Sequence, residues 1–278
     1  ITNNAPIGLA TLVQWRSANI SNIHSNTSNN LSNNTQGSGL RICLLGYRSQ
    51  PYCGGQGVYI KYLSKALVNA GHSVDVISGE PYPHLDPRVR LIKMPGLNLF
   101  EAPNHITALR PRHLRSVTDM AEWAIMASGG FPEPYTFGRR AVKYLQEHRD
   151  EYDLVHDNQS LSYGLLELQK LGIPVVATIH HPITRDLKLA LAATEPGAKG
   201  FGMRLLIKRW HSFLSMQKVV ARKLNHVTTV SKLSRQDISR DFGRPEEDIE
   251  LIYNGIDTEE FCPLPHIKRS PLRLMATA

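Results

Sequence analysis

The sequence predicts an α/β fold built on a doubly wound, mainly parallel sheet. Three observations carry this expectation. Short apolar runs of strand length recur along the chain, stretches with helical spacing separate them, and a glycine-rich loop joins the first strand to the first helix. A parallel strand is buried on both faces and so reads as a continuous apolar run. Strand–helix alternation is the pattern of a sheet covered by helices on both sides.

The elements follow in order. Leu40–Tyr47 (LRICLLGY) reads as a buried strand. After a loop over Arg48–Gly57, Val58–Ala70 has helical spacing, and Gly71 stands where a helix ends. Ser73–Ser78 is a second strand, which completes a βαβ unit of roughly 35 residues. Val89–Lys93 predicts a third strand, whereas 94–135, rich in Pro and His, gives no clear element. Further on, Thr136–His148 and Tyr163–Leu171 predict helices, and Asp153–His156 and Ile173–Ile179 predict strands. Gly200–Leu224 reads as one long helix and His226–Val230 as a strand. Ser231 is placed to cap a helix that runs to about Phe242. Glu250–Tyr253 is a last short strand that ends at Asn254-Gly255.

Both ends differ from this core. Residues 1–39 hold nine Asn and six Ser against one charged residue, Arg16. Such a segment buries too little apolar surface to offset its ordering entropy, so a disordered tail is expected. Its Asn-x-Ser/Thr sequons begin at Asn19, Asn26, Asn30 and Asn33, and they signify glycosylation only in a secreted protein. After Phe261 a Pro-rich basic stretch reads as a linker. Leu272–Ala278 then resembles the first strand of a further domain. The expected division is a tail over 1–39, a domain over 40–263, and a linker with the start of a second domain over 264–278.

Composition narrows the class. The 278 residues are 41% hydrophobic and 20% charged, with a net charge of +8. This is a globular mix, and no run of about 18 apolar residues suggests a membrane span. The three cysteines (Cys43, Cys53 and Cys262) form no CxxC and suit a reducing compartment, so a cytoplasmic location is expected.

Three features could carry chemistry. The loop Gly54-Gly55-Gln56-Gly57 lies between a strand and a helix, where backbone N–H groups can approach a phosphate; a plain tight turn is the alternative. A dinucleotide fingerprint fits poorly, because Ile60 stands where the third glycine belongs and Asp75 falls in mid-strand. His180-His181 follows the strand Ile173–Ile179, at the sheet edge where ligands of open α/β sheets bind. A histidine there can act as acid, base or hydrogen-bond donor, or can simply be a loop residue. Neighbouring histidines point differently, and no converging ligand set suggests a metal. Along 200–224, Arg204, Lys208, His211, Ser215, Lys218 and Arg222 form one stripe; Leu206, Trp210, Phe213, Gln217, Val220 and Leu224 form another. The first is either a solvated basic face or a contact for an anionic membrane or substrate. Arg110, Arg112, His113 and Arg115 form a second basic cluster, with no nucleic-acid reader motif beside it.

Taken together, five blocks resemble the N-terminal domain of family 4 glycosyltransferases of the GT-B fold. They are GGQGVYIKYLSKALVNAGHSVDVIS (54–78), YDLVHDNQ (152–159), PVVATIHHP (174–182), VTTVSKLSRQDI (227–238) and IELIYNGIDTEEFCP (249–263). The resemblance implies two Rossmann-like domains across a cleft, a nucleotide-sugar co-substrate, a sugar or lipid-linked acceptor, retention of anomeric configuration, and no metal or other cofactor. It places Gly54, Gly55, Gln56 and Gly57 near the donor phosphates and His180 opposite the transferred sugar. His181 and Ser231 become acceptor-side candidates, and Asn254-Gly255 a turn before the linker. The family's paired glutamates, E-x7-E, belong to a C-terminal domain and have no match here. The resemblance therefore implies that this chain is the N-terminal part and inactive alone. A sugar-nucleotide epimerase or phosphorylase of the same fold, or a non-catalytic module that binds an anionic sugar or lipid, are the other readings.

Overall fold

The computed structural model describes residues 39–266 apart from 53, 103, 105–108 and 195–197 and the side chains of 198 and 199. The Asn/Ser-rich tail up to residue 38, its sequons and the strand expected at Leu272–Ala278 lie outside the described residues. One compact unit ends at Ile252. It contains a sheet of seven described strands, all paired in parallel. These are β1 (Arg41–Gly46), β2 (Ser73–Ser78), β3 (Arg90–Lys93), β4 (Leu154–Asn158), β5 (Val175–Ile179), β6 (His226–Thr229) and β7 (Ile249–Leu251). Their spatial order is β3-β2-β1-β4-β5-β6-β7. The chain thus winds outward from β1 in one direction and from β4 in the other, the doubly wound Rossmann-like arrangement that the sequence predicts.

The helices are α1 (Gln56–Asn69), α2 (Val117–Ala127), α3 (Glu133–Glu147), α4 (Tyr163–Lys170), α5 (Thr184–Ala192), α6 (Ala198–Trp210), α7 (Phe213–Lys223) and α8 (Lys232–Phe242). In β1, Ile42 and Leu44 alternate with Cys43 and Leu45, and all four are buried. Successive strand residues face opposite sides, so both faces of the sheet are covered. Cys43 and Leu45 join a core with Phe137, Ala141 and Leu145 of α3, Leu165 and Leu168 of α4, Met216 and Val220 of α7, and Ile238 and Phe242 of α8.

Caps explain several boundaries. α1 stops because Gly71, at φ +89°, lets its own N–H reach the Val68 carbonyl and the His72 N–H reach Leu67. Ser116 Oγ accepts the Asp119 N–H at the start of α2, and Ser231 Oγ accepts the Ser234 N–H at the start of α8. Helix α3 begins three residues earlier than expected, because Pro134 belongs to its first turn, where a missing N–H costs nothing.

Two expectations are corrected. The single helix over Gly200–Leu224 is two helices that meet at His211–Ser212. There the Ser212 and Leu214 N–H groups reach back only three residues, to Arg209 and His211. The Arg209 guanidinium fixes the corner by donating to Ser212 Oγ at 2.8 Å and to Ser128 Oγ at 2.6 Å. The change of direction leaves Leu206 of the second stripe exposed, while His211 of the basic stripe is half-buried. Arg222, also on that stripe, donates to the Phe242 carbonyl. The second correction concerns the turn expected at Asn254-Gly255. Within residues 253–266, described separately, the turn lies at 258–260. It forms there because Asp257 Oδ1 accepts the Glu259 and Glu260 N–H groups.

Candidate functional site

The chain reverses its winding between β1 and β4, and in open α/β sheets the ligand crevice lies at the carboxyl ends of the strands beside such a point. Loops from β1, β4 and β5 meet there. In the loop after β1, Gly54 and Gly55 have φ of +77° and +73°, and a Cβ on either would meet nothing within 4 Å. These two glycines serve conformation. Gly57 serves close approach, since a Cβ there would lie 2.2 Å from the Gln50 carbonyl oxygen. Gly55 occupies the N-cap of α1 and has no side chain to cap the first-turn amides. That end of a 14-residue helix therefore presents N–H groups and the positive end of the helix dipole.

The loop after β4 is set by Asp157. Its buried carboxylate accepts the Ser160 hydroxyl and the Leu161 N–H, which holds Gln159 and Leu161 at positive φ. Burial pushes Asp157 up to about 6. Gln159 then clamps the next loop: its Oε1 accepts the His180 N–H at 2.7 Å, and its Nε2 donates to the His181 carbonyl at 2.7 Å. From α7, Gln217 Nε2 donates to the Gln159 and Ser160 carbonyls.

His180 sits at the centre. Its Nε2 lies 2.6 Å from Asn158 Oδ1, while Asn158 Nδ2 donates to the Gln56 carbonyl at 3.3 Å. One side chain thus ties the glycine loop, β4 and the histidine loop together. The Tyr59 ring stands edge-on to His180 at 4.6 Å between centroids. Burial, with a smaller contribution from His181, lowers His180 to about 4, so the ring is neutral at pH 7. Beneath it, His156 Nε2 meets Thr178 Oγ1 at 2.7 Å, and Thr178 Oγ1 meets Thr228 Oγ1 at 2.9 Å. Burial, then His180, lowers His156 to about 4 as well.

The structure brings Gln56 and His180 into one network through Asn158. His181 is held through its carbonyl and its side chain is exposed. Ser231, at the end of β6, spends its hydroxyl on Ser234 as a helix cap. Asp75 accepts the Tyr152 hydroxyl at 2.7 Å and pairs with Arg90 across the β2–β3 edge. Arg110, Arg112, His113 and Arg115 lie on a 3₁₀ turn at the surface. Sequence reading missed Asn158, Gln159, Tyr59 and Gln217. The available signal was β4 itself, where His156, Asp157 and Asn158 are buried in a strand covered on both faces. Among the described residues, no helix is long and apolar enough to cross a membrane, and no three His, Cys, Asp or Glu side chains cluster as metal ligands.

Comparison with known proteins gives a family match. The family model Glycosyltransferase Family 4 matches residues 53–260. An MMP alpha-(1->4)-mannosyltransferase of Mycolicibacterium hassiacum is 44% identical over 240 residues, which are 86% of this chain and 57% of that protein. A D-inositol 3-phosphate glycosyltransferase of Nocardiopsis dassonvillei is 26% identical over 215 residues, 76% of this chain and 43% of that one. The chain spans about half the length of the curated relatives it matches. Among solved structures, the catalytic domain of starch synthase IV from Arabidopsis thaliana shares 16% identity at a TM-score of 0.47, over 81% of this chain and 54% of that one.

Proposed function

Because the chain belongs to glycosyltransferase family 4, we propose that it forms the acceptor-side half of an enzyme that moves a glycosyl group from a nucleotide sugar to a hydroxylated acceptor, with retention of configuration. The observation that carries this reading is the network of Gln56, Asn158 and His180 at the winding reversal. It joins a loop suited to phosphate to a neutral imidazole suited to a sugar hydroxyl.

The roles follow from the chemistry. In the reaction the bond between the anomeric carbon and the phosphate oxygen breaks, and its electron pair leaves with the nucleoside diphosphate. The acceptor oxygen forms the new bond and its proton passes to the departing phosphate. The uncapped amides of α1 stabilise charge as it develops on that phosphate. His180 is not the group that takes the proton, since a base works best with a pKa near the operating pH and this ring is held near 4. Asn158 Nδ2 faces a carbonyl, so Asn158 Oδ1 accepts and His180 Nε2 donates. The other ring nitrogen, Nδ1, remains to accept a hydroxyl of the transferred sugar. The name of the M. hassiacum relative makes mannose the first sugar to try.

The test is turnover by the full-length protein with a panel of nucleotide sugars that includes mannosyl donors, with and without mannoside acceptors. The reading expects acceptor-dependent release of nucleoside diphosphate and an α-linked product from an α-linked donor. It also expects no release by residues 1–278 alone, because the relatives extend well beyond the matched region. Rearrangement of the donor sugar without an acceptor would show an epimerase instead.

A further inference from the structure

A cavity opens beside the candidate site. Its volume is about 160 Å³, and its walls are Arg48, Phe100, Phe131, Ile183, Trp210, His211 and Phe213. Arg48 follows β1 almost directly, and Ile183 lies three residues beyond His180, so both loops of the candidate site contribute to it. We propose that this cavity is a subsite for one uncharged pyranose ring of the acceptor, with the aromatic side chains meeting the C–H face of the sugar. The inference rests on the glycosyltransferase reading and deepens it.

Size, shape and charge favour that occupant. A void on the order of 150 Å³ holds one six-membered ring. Phe131 meets its aromatic neighbours tilted or edge-on, 5.3 Å from Trp210, 5.6 Å from Phe213 and 6.1 Å from Phe100 between centroids at interplanar angles of 34°, 69° and 76°, while His211 and Phe213 stack at 6.3 Å. Tilted and edge-on pairs leave ring faces open to a ligand.

A phosphate or carboxylate does not suit the site. Its cation is already neutralised, since Arg48 donates to both oxygens of Glu133 at 3.0 and 3.2 Å and to Glu101 at 2.8 Å. The same guanidinium lies 4.8 Å over the Phe100 ring. A plain alkyl chain suits it poorly as well. The walls also carry polar groups: the Trp210 indole N–H and the His211 ring, whose Nδ1 lies 2.8 Å from the Ile207 carbonyl and whose other nitrogen is Nε2. Apolar faces with a donor and a ring nitrogen between them match a ring that is C–H on its faces and hydroxyl on its rim.

The experiment is saturation-transfer NMR on the full chain, with methyl α-D-mannopyranoside as probe and pentanol as competitor. Phe100 is half exposed, so Phe100→Ala removes a wall without emptying the core. Phe201→Ala, on the exposed side of α6, is the control. The expected result is transfer to the ring C–H protons with a Kd in the millimolar range, weakened about five- to tenfold by Phe100→Ala. Binding is unchanged by Phe201→Ala, and pentanol does not displace the sugar. Absence of transfer, equal binding by both variants, or displacement by pentanol each overturns the proposal. The assay uses neither donor nor turnover, so its failure is separate from failure of the transferase reading.

Discussion

His180 Nε2 lies 2.6 Å from Asn158 Oδ1, and the amide of Asn158 is turned so that its nitrogen faces the Gln56 carbonyl. The contact sets the ring proton on Nε2, while burial keeps the imidazole neutral. Replacing the amide by a carboxylate tests this, because a negative charge beside the ring favours imidazolium. In Asn158→Asp, histidine NMR titration is expected to show the His180 pKa rising from about 4 by about one unit or more. An unshifted ring would mean that the contact does not govern its charge.

The pH dependence of stability has two opposing parts. Half-buried His180 and buried His156, both lowered to about 4 from 6.5, bind protons more readily when unfolded. Their contribution is complete above pH 6.5 and is lost as the pH falls towards 4. Glu133 works the other way. Burial, set against Arg48, raises it to about 7 from 4.5, so its protonated form favours the fold and that contribution is lost as the pH rises through 7. Glu133→Gln removes the opposing part. Between pH 7 and pH 5 the variant should lose about 2 kcal/mol more stability than the parent, measured by denaturant unfolding at both pH values. Equal losses would contradict the assignment.

Asp75 stands on the strand where a ribose-binding carboxylate would be sought, yet it is committed to Tyr152 and Arg90. Asp75→Asn should therefore cost roughly 1–2 kcal/mol of stability and leave nucleotide affinity unchanged. A selective loss of nucleotide binding, with stability intact, would give this residue a ligand role.

The glycine loop separates room from conformation. Gly57→Ala drives a methyl into the Gln50 and Ser49 carbonyls, 2.2 and 2.5 Å away, and should cost roughly 2 kcal/mol or more. Gly54→Ala meets no neighbour and should cost only the positive-φ penalty, about 1–2 kcal/mol. Thermal unfolding of the two variants checks the order, and a reversed order would contradict the packing described here.

The parallel sheet was legible because β1 and β5 are short apolar runs and β2 follows a helix stop at Gly71, and α8 because Ser231 caps it and Phe242-Gly243 closes it. The break at His211–Ser212 was not legible. No Pro or Gly marks it, and the side chain that fixes it, Arg209, finds its second partner at Ser128, 81 residues away. Helix α2 was missed within 94–135, the stretch that gave no clear element, and α5 was not predicted. In the site, the glycines and His180 announced themselves by residue type and position at strand ends. Asn158 and Gln159 did not, because their partners come from β5 and α1, and only the fold brings those within hydrogen-bond reach. The aromatic cavity was hidden for the same reason: Phe100, Phe131, Trp210 and Phe213 share no periodicity.

The most direct test of the central claim is kcat for His180→Ala in the full-length protein, measured as nucleoside diphosphate release with donor and acceptor saturating. A side chain that holds the transferred sugar in the transition state should, when removed, lower kcat on the order of 10²-fold while circular dichroism and the melting temperature show a folded protein. An unchanged kcat would contradict the account and reduce His180 to a structural residue of the β5 loop.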